Sequence, residues 1–184
     1  MLMECRMLLL LILFIVSFSL KCQTEKDSVG ISKNSIYLEL VGNSTTIFSI
    51  HFDRIIKQLQ KSYISLDVGF GYFPKHDILN PNFGIPISFN WTNRLYKRNH
   101  LETGLGLTYS SGTFQKTIDI GSKTESLKAL YGSLRIGYKF QKPKKDLFLK
   151  AAFTPLIKIY QFSKLEQNFS DFIPFVGLSV GYSF

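Results

Sequence analysis

Cysteine is scarce in this sequence, and its absence removes several kinds of chemistry. The only two cysteines, Cys5 and Cys22, both lie in the N-terminal segment. If that segment is removed on export, the mature chain has no thiol, which excludes disulfides, cysteine nucleophiles and cysteine-based metal sites together. The three histidines make a weak case for zinc without cysteine. We therefore expect neither a metal nor another cofactor.

The sequence also lacks an apolar run long enough for a membrane-spanning helix, which needs roughly 20 residues. The run from Met7 to Leu20 has 14 residues without a charge, between Arg6 and Lys21. A basic start, a short apolar run and polar residues are typical of a secretory signal peptide. We predict a signal peptide over residues 1–22 and a periplasmic segment over 23–34. The alternative is a lipoprotein acylated on Cys22, but Lys21 occupies the position where such sites have a small residue.

Strict alternation of apolar and polar residues is the main pattern after the signal peptide. It is the period-2 signature of strands with two different faces. Five segments alternate strongly, and three shorter ones complete a set of eight. The even number suits a bacterial barrel with both termini on the periplasmic side. We therefore predict an all-β fold over residues 35–184, an eight-stranded antiparallel up-and-down transmembrane β-barrel. The predicted strands are Ile36–Gly42, Phe48–Asp53, Ile64–Tyr72, Phe83–Trp91, Leu101–Tyr109, Leu130–Phe140, Leu147–Pro155 and Val176–Phe184.

The phase of the alternation distinguishes a membrane barrel from a soluble one. A lipocalin-like barrel would place every strand glycine on its solvated outer face, where glycine costs entropy and packs nothing. A narrow eight-stranded interior instead has little room for side chains, so small residues suit it. We predict lipid outside and polar filling inside. Pro86 removes a ladder donor, and we expect a local bulge there.

Aromatic residues gather at the predicted strand ends, where a membrane barrel has its two interfacial girdles. The periplasmic set is Trp91, Tyr138, Phe140, Tyr182 and Phe184, and the outer set is Tyr72, Phe83, Tyr109 and Phe172.

Charge is concentrated in the predicted periplasmic turns, Arg54–Ser62, Asn93–Asn99 and Gln141–Asp146. The mature chain has 20 basic and 12 acidic residues, so its net charge is +8 (20 minus 12), and these turns contain an equal excess. Such turns would meet anionic lipid headgroups or the cell-wall polymer. Nucleic acid is not an expected partner. The two longest predicted outer loops, Ser110–Ser126 and Lys158–Asp171, are each neutral.

Charged residues also occur on the predicted inward face. Charges in a narrow interior are costly unless they are paired. The near balance of sign therefore predicts that salt bridges fill and close the interior. We favour structural filling, and a gating or ligand role is the alternative. The predicted network is Glu39, His51, Asp53, Asp67, Glu102, Arg135, Lys139 and Lys150. Because Glu102 lies on the strand beside that of Arg135 and Lys139, we expect a Glu102–Arg135 or a Glu102–Lys139 contact. The outer half is predicted to leave a small cavity lined by Gly71, Gly84, Gly106, Ser133 and Thr154.

The C-terminus carries the most specific pattern, with apolar residues at alternate positions up to a final phenylalanine. These residues are Val176, Leu178, Val180, Tyr182 and Phe184. They resemble the terminal signal that outer-membrane barrels present to the barrel-assembly machinery. With the signal peptide, the chain resembles small barrels of the outer membrane protein A and X type and the wider "outer membrane protein β-barrel" group. The resemblance implies the fold, a location in the outer membrane of a Gram-negative bacterium among its lipids, and that assembly partner. It transfers no functional site.

The sequence is least informative about activity. The leading prediction is a structural or interaction barrel that is closed to solute flow. One alternative is an outer-membrane enzyme acting on lipid A or phospholipid acyl chains, since Ser49, His51 and Glu39 could be assembled into a nucleophile, base and acid. The other alternative is a small-solute pore.

Overall fold

The chain forms a closed eight-stranded antiparallel barrel in which each strand pairs with the next and β1 pairs with β8. The computed structural model describes residues 32–73, 82–118, 121–141, 147–162 and 171–184. The prediction of an eight-stranded up-and-down barrel is therefore confirmed. No helix long and apolar enough to cross a membrane is present among these residues. The strands are β1 (Asn34–Leu40), β2 (Phe48–Gln58), β3 (Ser62–Phe73), β4 (Asn82–Tyr96), β5 (Asn99–Ile118), β6 (Gly121–Gln141), β7 (Leu147–Gln161) and β8 (Phe172–Ser183).

The barrel closes where its first and last strands meet. The backbone N–H of Asn34 donates to the Phe184 carbonyl oxygen at 3.1 Å, and the N–H of Phe184 donates back at 2.8 Å. Closure leaves no unpaired strand edge, which would otherwise be a template for aggregation. We call the end where β1 begins and β8 ends the terminal end. The opposite end, which carries the 41–47 connection, is the loop end.

The two faces of the barrel have inverted polarity relative to a soluble protein. Outward side chains are large and apolar; Leu105 is 64% exposed and Phe89 58%. Most inward side chains are small, polar or charged; Asp67 and Ser65 are almost completely buried. A continuous apolar exterior of this size would be a severe aggregation hazard in water, whereas hydrocarbon solvates it. The predicted phase, with polar residues inside, agrees with these positions.

Aromatic side chains line the loop end on the outer surface. Ring contacts run from Phe70 to Phe83, from Phe83 to Tyr109 and from Tyr109 to Phe162, each with centroids 6.3 Å apart. Tyr160 continues the row, 4.8 Å from Phe162. At the terminal end, Tyr138, Tyr182 and Phe184 are exposed on the same outer surface.

Three expected local features are wrong. The register runs unchanged across Pro86, and the irregularities lie at Ile55/Lys57, Arg94/Tyr96 and Leu130/Tyr131 instead. The inward proline ring does not end the strand. The ladder to β3 omits only the pairs at Ile85 and Pro86 and resumes in the same register. The turn that the sequence predicts over Arg54–Ser62 comprises only residues 59–61, because β2 continues to Gln58.

The third error is at the loop end, where Ser110–Ser126 is not a loop. β5 and β6 stay paired from Gly112↔Leu127 to Ile118↔Gly121. Within the described residues, neither β4 nor β7 pairs with this outer part of the hairpin. We call residues 112–128 the β5–β6 arm. Most of the predicted loop Lys158–Asp171 and of the predicted turn Gln141–Asp146 lies outside the described residues.

Candidate functional site

The barrel interior holds all eight charged residues that alternation assigned to the inward face. Each is at most 5% exposed, although they come from six different strands. These eight residues are four carboxylates, three permanent cations and one histidine. With His51 protonated the interior is neutral, which is the condition under which buried charges are tolerated.

Six of the eight residues form one continuous chain of ion pairs, which we call the charged core. Its successive members are Asp67, His51, Glu39, Arg135, Glu102 and Lys150.

Arg135 lies at the centre of the charged core and joins three strands. Its Nη2 is 2.7 Å from Glu39 Oε1 on β1, and its Nε is 2.8 Å from Glu102 Oε1 on β5. Arg135 itself is on β6, so the Glu39 pair crosses the lumen rather than joining neighbouring strands. The planar guanidinium can serve two carboxylates at once, which an ammonium group does with less geometric definition. This bridge fills the middle of the barrel.

Two lysines and three aromatic rings fill the interior nearer the terminal end. Lys139 Nζ is 3.2 Å from the Tyr63 hydroxyl and 4.2 Å from the centre of the Phe148 ring. Lys150 Nζ is 3.1 Å from Glu102 Oε2 and 4.3 Å from the centre of the Tyr37 ring. Cations over aromatic faces are attracted by the ring quadrupole. The Lys139–Glu102 ion pair that we considered from sequence does not form, and Lys150 takes that place.

Asp53 stands apart from the chain of ion pairs. Its Oδ2 accepts from the Ser35 hydroxyl at 3.4 Å, at the level where β1 pairs with β2.

The loop end is closed by the connection between β1 and β2, which we call the plug (Val41–Ile47). Asn43 and Ser44 are at most 1% exposed, and Thr46 is 5% exposed. The Thr108 hydroxyl donates to the Asn43 carbonyl oxygen at 2.6 Å, and the Thr45 hydroxyl donates to Ser110 at 3.0 Å. The plug therefore enters the barrel mouth and makes polar contacts with its wall.

The plug occupies the part of the predicted cavity that Gly71 and Gly84 would line, so the prediction is wrong for that part. A Cβ on Gly71 would overlap Thr46, and one on Gly84 would overlap the Ser44 carbonyl oxygen. These glycines therefore allow close backbone approach, one of the recognised roles of glycine in a strand. The turn needs left-handed backbone at Val41, Gly42 and Thr45, with φ of 59°, 103° and 62°.

The histidine of the charged core has the contacts of a catalytic base. His51 Nε2 is 3.0 Å from Ser49 Oγ, and Nδ1 is 3.0 Å from Asp67 Oδ2. The sequence hypothesis assigned Glu39 as the acid, but Glu39 approaches Nε2, at 3.4 Å, the nitrogen that also faces Ser49. Asp67 holds the orienting position instead. Sequence alone could not select it, because the β2–β3 register decides which inward residue lies beside His51.

The surroundings of this triple do not favour hydrolysis. Ser49, His51 and Asp67 are each at most 3% exposed. Ser49 pairs across the sheet with Gly71, which lies directly under the plug. The His51 ring has a carboxylate on each side, Asp67 at Nδ1 and Glu39 at Nε2, so Ser49 shares Nε2 with Glu39. The His51 ring also stacks on Tyr37 at a centroid distance of 4.6 Å.

No group of histidine, cysteine, aspartate and glutamate suited to a metal ion occurs in the part of the chain that the structure describes.

The proposed assembly signal lies on the outer surface, along β8 and at Phe184 directly after it. Its members, Val176, Leu178, Val180, Tyr182 and Phe184, are 45–61% exposed.

Comparison with known proteins defines the class of fold. No protein-family model and no curated protein matches the chain. Its structure is similar to the N-terminal β-barrel domain of Pseudomonas aeruginosa OprF, with a TM-score of 0.54 and 16% identity, covering 83% of this chain and 99% of that one. It is also similar to Neisserial surface protein A, with a TM-score of 0.50 and 9% identity, covering 83% and 95% respectively. Both are small eight-stranded outer-membrane β-barrels, and the chain has that fold, as predicted.

Proposed function

We propose that this chain resides in the outer membrane as a closed, non-conducting barrel with a structural or interaction role. The observation that carries the proposal is the filled interior. Arg135 spans the lumen at mid-height between Glu39 and Glu102, and the plug occupies the loop end. The two closures lie at different heights and use different parts of the chain.

The outer surface supports placement in a bilayer. Most outward side chains of the barrel wall are apolar, and the strands reach or exceed the roughly 9–11 residues that a tilted membrane strand needs, apart from the shorter β1. The outward aromatic row at the loop end has the position of an interfacial girdle. Neither feature would stabilise a protein that is surrounded by water.

The β5–β6 arm supports an interaction role. It extends beyond the last residues of β4 and β7 that pair with these strands. A paired hairpin displays side chains from a defined backbone, so it suits recognition of a partner outside the membrane better than an unstructured loop does.

Planar-bilayer recording of the refolded protein tests closure. We expect no steady conductance from the wild type. A variant in which residues 42–46 are shortened to two glycines, combined with Arg135→Ala and Phe148→Ala, should conduct, because the plug, the central bridge and the aromatic filling nearer the terminal end are then all reduced. Stable conductance steps in the wild type would support the small-solute pore instead.

A lipid-modifying enzyme is the second candidate, and the Ser49–His51–Asp67 geometry is the observation that favours it. Lipid A and phospholipid composition should be compared between cells with the wild type, with Ser49→Ala and without the gene. We expect three identical lipid profiles. An acyl change that depends on Ser49 would replace the structural role by an acyl hydrolase or transferase.

A further inference from the structure

The acidic side chains of this barrel are distributed unevenly between its interior and its surface. Four of the carboxylates whose side chains the structure describes, Glu39, Asp53, Asp67 and Glu102, are buried inside. The fifth, Asp171, is at the loop end, where it pairs with Lys158 at 2.7 Å. The described surface of the terminal end therefore has no exposed acidic side chain.

Exposed cations occupy that same end. Arg54 and Lys57 lie on the last part of β2, and Lys97 and Arg98 form the turn between β4 and β5. All four are exposed, and none of them makes an ion pair within the described ranges. Residues 142–146, between β6 and β7 in the sequence, lie outside those ranges; their sequence contains three lysines and one aspartate.

Apolar side chains are interleaved with these cations. Ile56 and Leu59 flank Lys57 and are 59% and 44% exposed. Leu95 and Tyr96 precede Lys97 and are 60% and 67% exposed. We call these four apolar residues, with the four cations, the terminal rim.

The position of Arg54 links the terminal rim to the lipid-facing surface. Arg54 follows Phe52 on the outward row of β2 and pairs across the sheet with Leu66. A long cationic side chain in such a row places its stem on apolar surface and its head in the headgroup layer.

We infer that the terminal rim binds the headgroups of anionic phospholipids in the adjoining leaflet; this inference rests on the proposed membrane placement. Basic residues near a membrane surface are attracted to anionic lipid, and apolar neighbours bury themselves at the boundary. A cell-wall polymer would engage the cations but gives no reason for four exposed apolar side chains between them.

Native mass spectrometry in mixed micelles tests the inference. The detergent-solubilised full protein is titrated with phosphatidylglycerol or phosphatidylcholine at equal concentration. The test variant is Lys57→Gln with Lys97→Gln and Arg98→Gln. Its matched control is Lys116→Gln with Lys123→Gln and Lys128→Gln, three lysines of the β5–β6 arm at the other end. Mobility of unboiled and boiled samples on a gel reports whether each protein is a folded barrel.

We expect the wild type and the control variant to prefer phosphatidylglycerol, and the test variant to lose about tenfold of that preference. Equal binding of the two lipids by folded wild type would overturn the inference, as would an equal loss in the control variant. Sedimentation with purified cell-wall sacculi tests the alternative partner, the cell-wall polymer. Loss of sacculus binding in the test variant, with its lipid preference intact, would replace lipid by the polymer. A mobility unchanged by boiling would instead count against the barrel itself and so against the proposed function.

Discussion

Arg135 Nε lies 2.8 Å from Glu102 Oε1 inside the barrel, and both side chains are at most 3% exposed. The two residues belong to neighbouring strands, where the β5–β6 register places Glu102 opposite Gly137 and Arg135 opposite Gly104. The contact is therefore a diagonal one between strands whose facing residues are glycines. The guanidinium also reaches Glu39 across the lumen.

Removing the arginine should destabilise the barrel strongly. Breaking one side of a buried ion pair leaves an uncompensated charge, which typically costs about 3–5 kcal/mol. Arg135→Ala should therefore lower the urea midpoint of unfolding. Arg135→Ala with Glu102→Ala should recover only part of the loss, because Glu39 still loses its arginine and keeps only His51 and Ser179, while Lys150 loses Glu102.

Leu134→Ala is the neighbouring control, since Leu134 faces outward and is 43% exposed. It should cost less than Arg135→Ala because lipid can fill the gap. Equal stability of Arg135→Ala and wild type would show that the charged core contributes little.

The plug should be displaced by a single methyl group at its docking surface. A Cβ in Gly84→Ala would overlap the Ser44 carbonyl oxygen, which is backbone and cannot swing aside. We expect protease to cleave the 41–47 connection in this variant but not in the wild type.

Gly132→Ala is the matched control, because its Cβ would meet only the flexible end of Ile159, at 3.1 Å. It should leave the plug protected. If the 41–47 connection in Gly84→Ala still resists protease, the loop end must have space for the added methyl group, which contradicts the overlap with Ser44.

The N-terminus of the mature protein is a separate prediction. We expect it to be Gln23 without lipid, because the apolar run of 14 residues is followed by a poor acylation motif at Lys21-Cys22. Intact mass of protein extracted from membranes decides this. A mass increase corresponding to two or three acyl chains on Cys22 would favour the lipoprotein.

The sequence was sufficient for the number of strands and for which residues face inward. Alternation continues along each strand in lipid, so Val68 and Phe70 identify the outer face without any tertiary information. The β5–β6 arm was missed for a related reason. A hairpin with water on both faces needs no strict alternation of apolar and polar residues, so periodicity cannot distinguish its sequence from a loop.

The contacts inside the barrel could be predicted only in part. The Arg135–Glu102 contact joins neighbouring strands, and the sequence suggested it. The Arg135–Glu39 contact joins β6 to β1 across the lumen, a relationship that strand order alone does not fix. The plug was missed although Gly71 and Gly84 marked the place, because an inward glycine can signal either a cavity or close approach of backbone.

The most direct test of this account is quenching of tryptophan fluorescence by lipids brominated on their acyl chains. Trp91 is the only tryptophan, so Trp91→Phe gives a silent background. Two single-tryptophan variants are then made in this background. One carries Leu105→Trp, on the outer surface at 64% exposure, and the other carries Phe148→Trp, in the interior at 2% exposure. The account predicts strong quenching at 105 and little at 148. Strong quenching at 148 with none at 105 would contradict it, because lipid would then face the side that is assigned to the charged core.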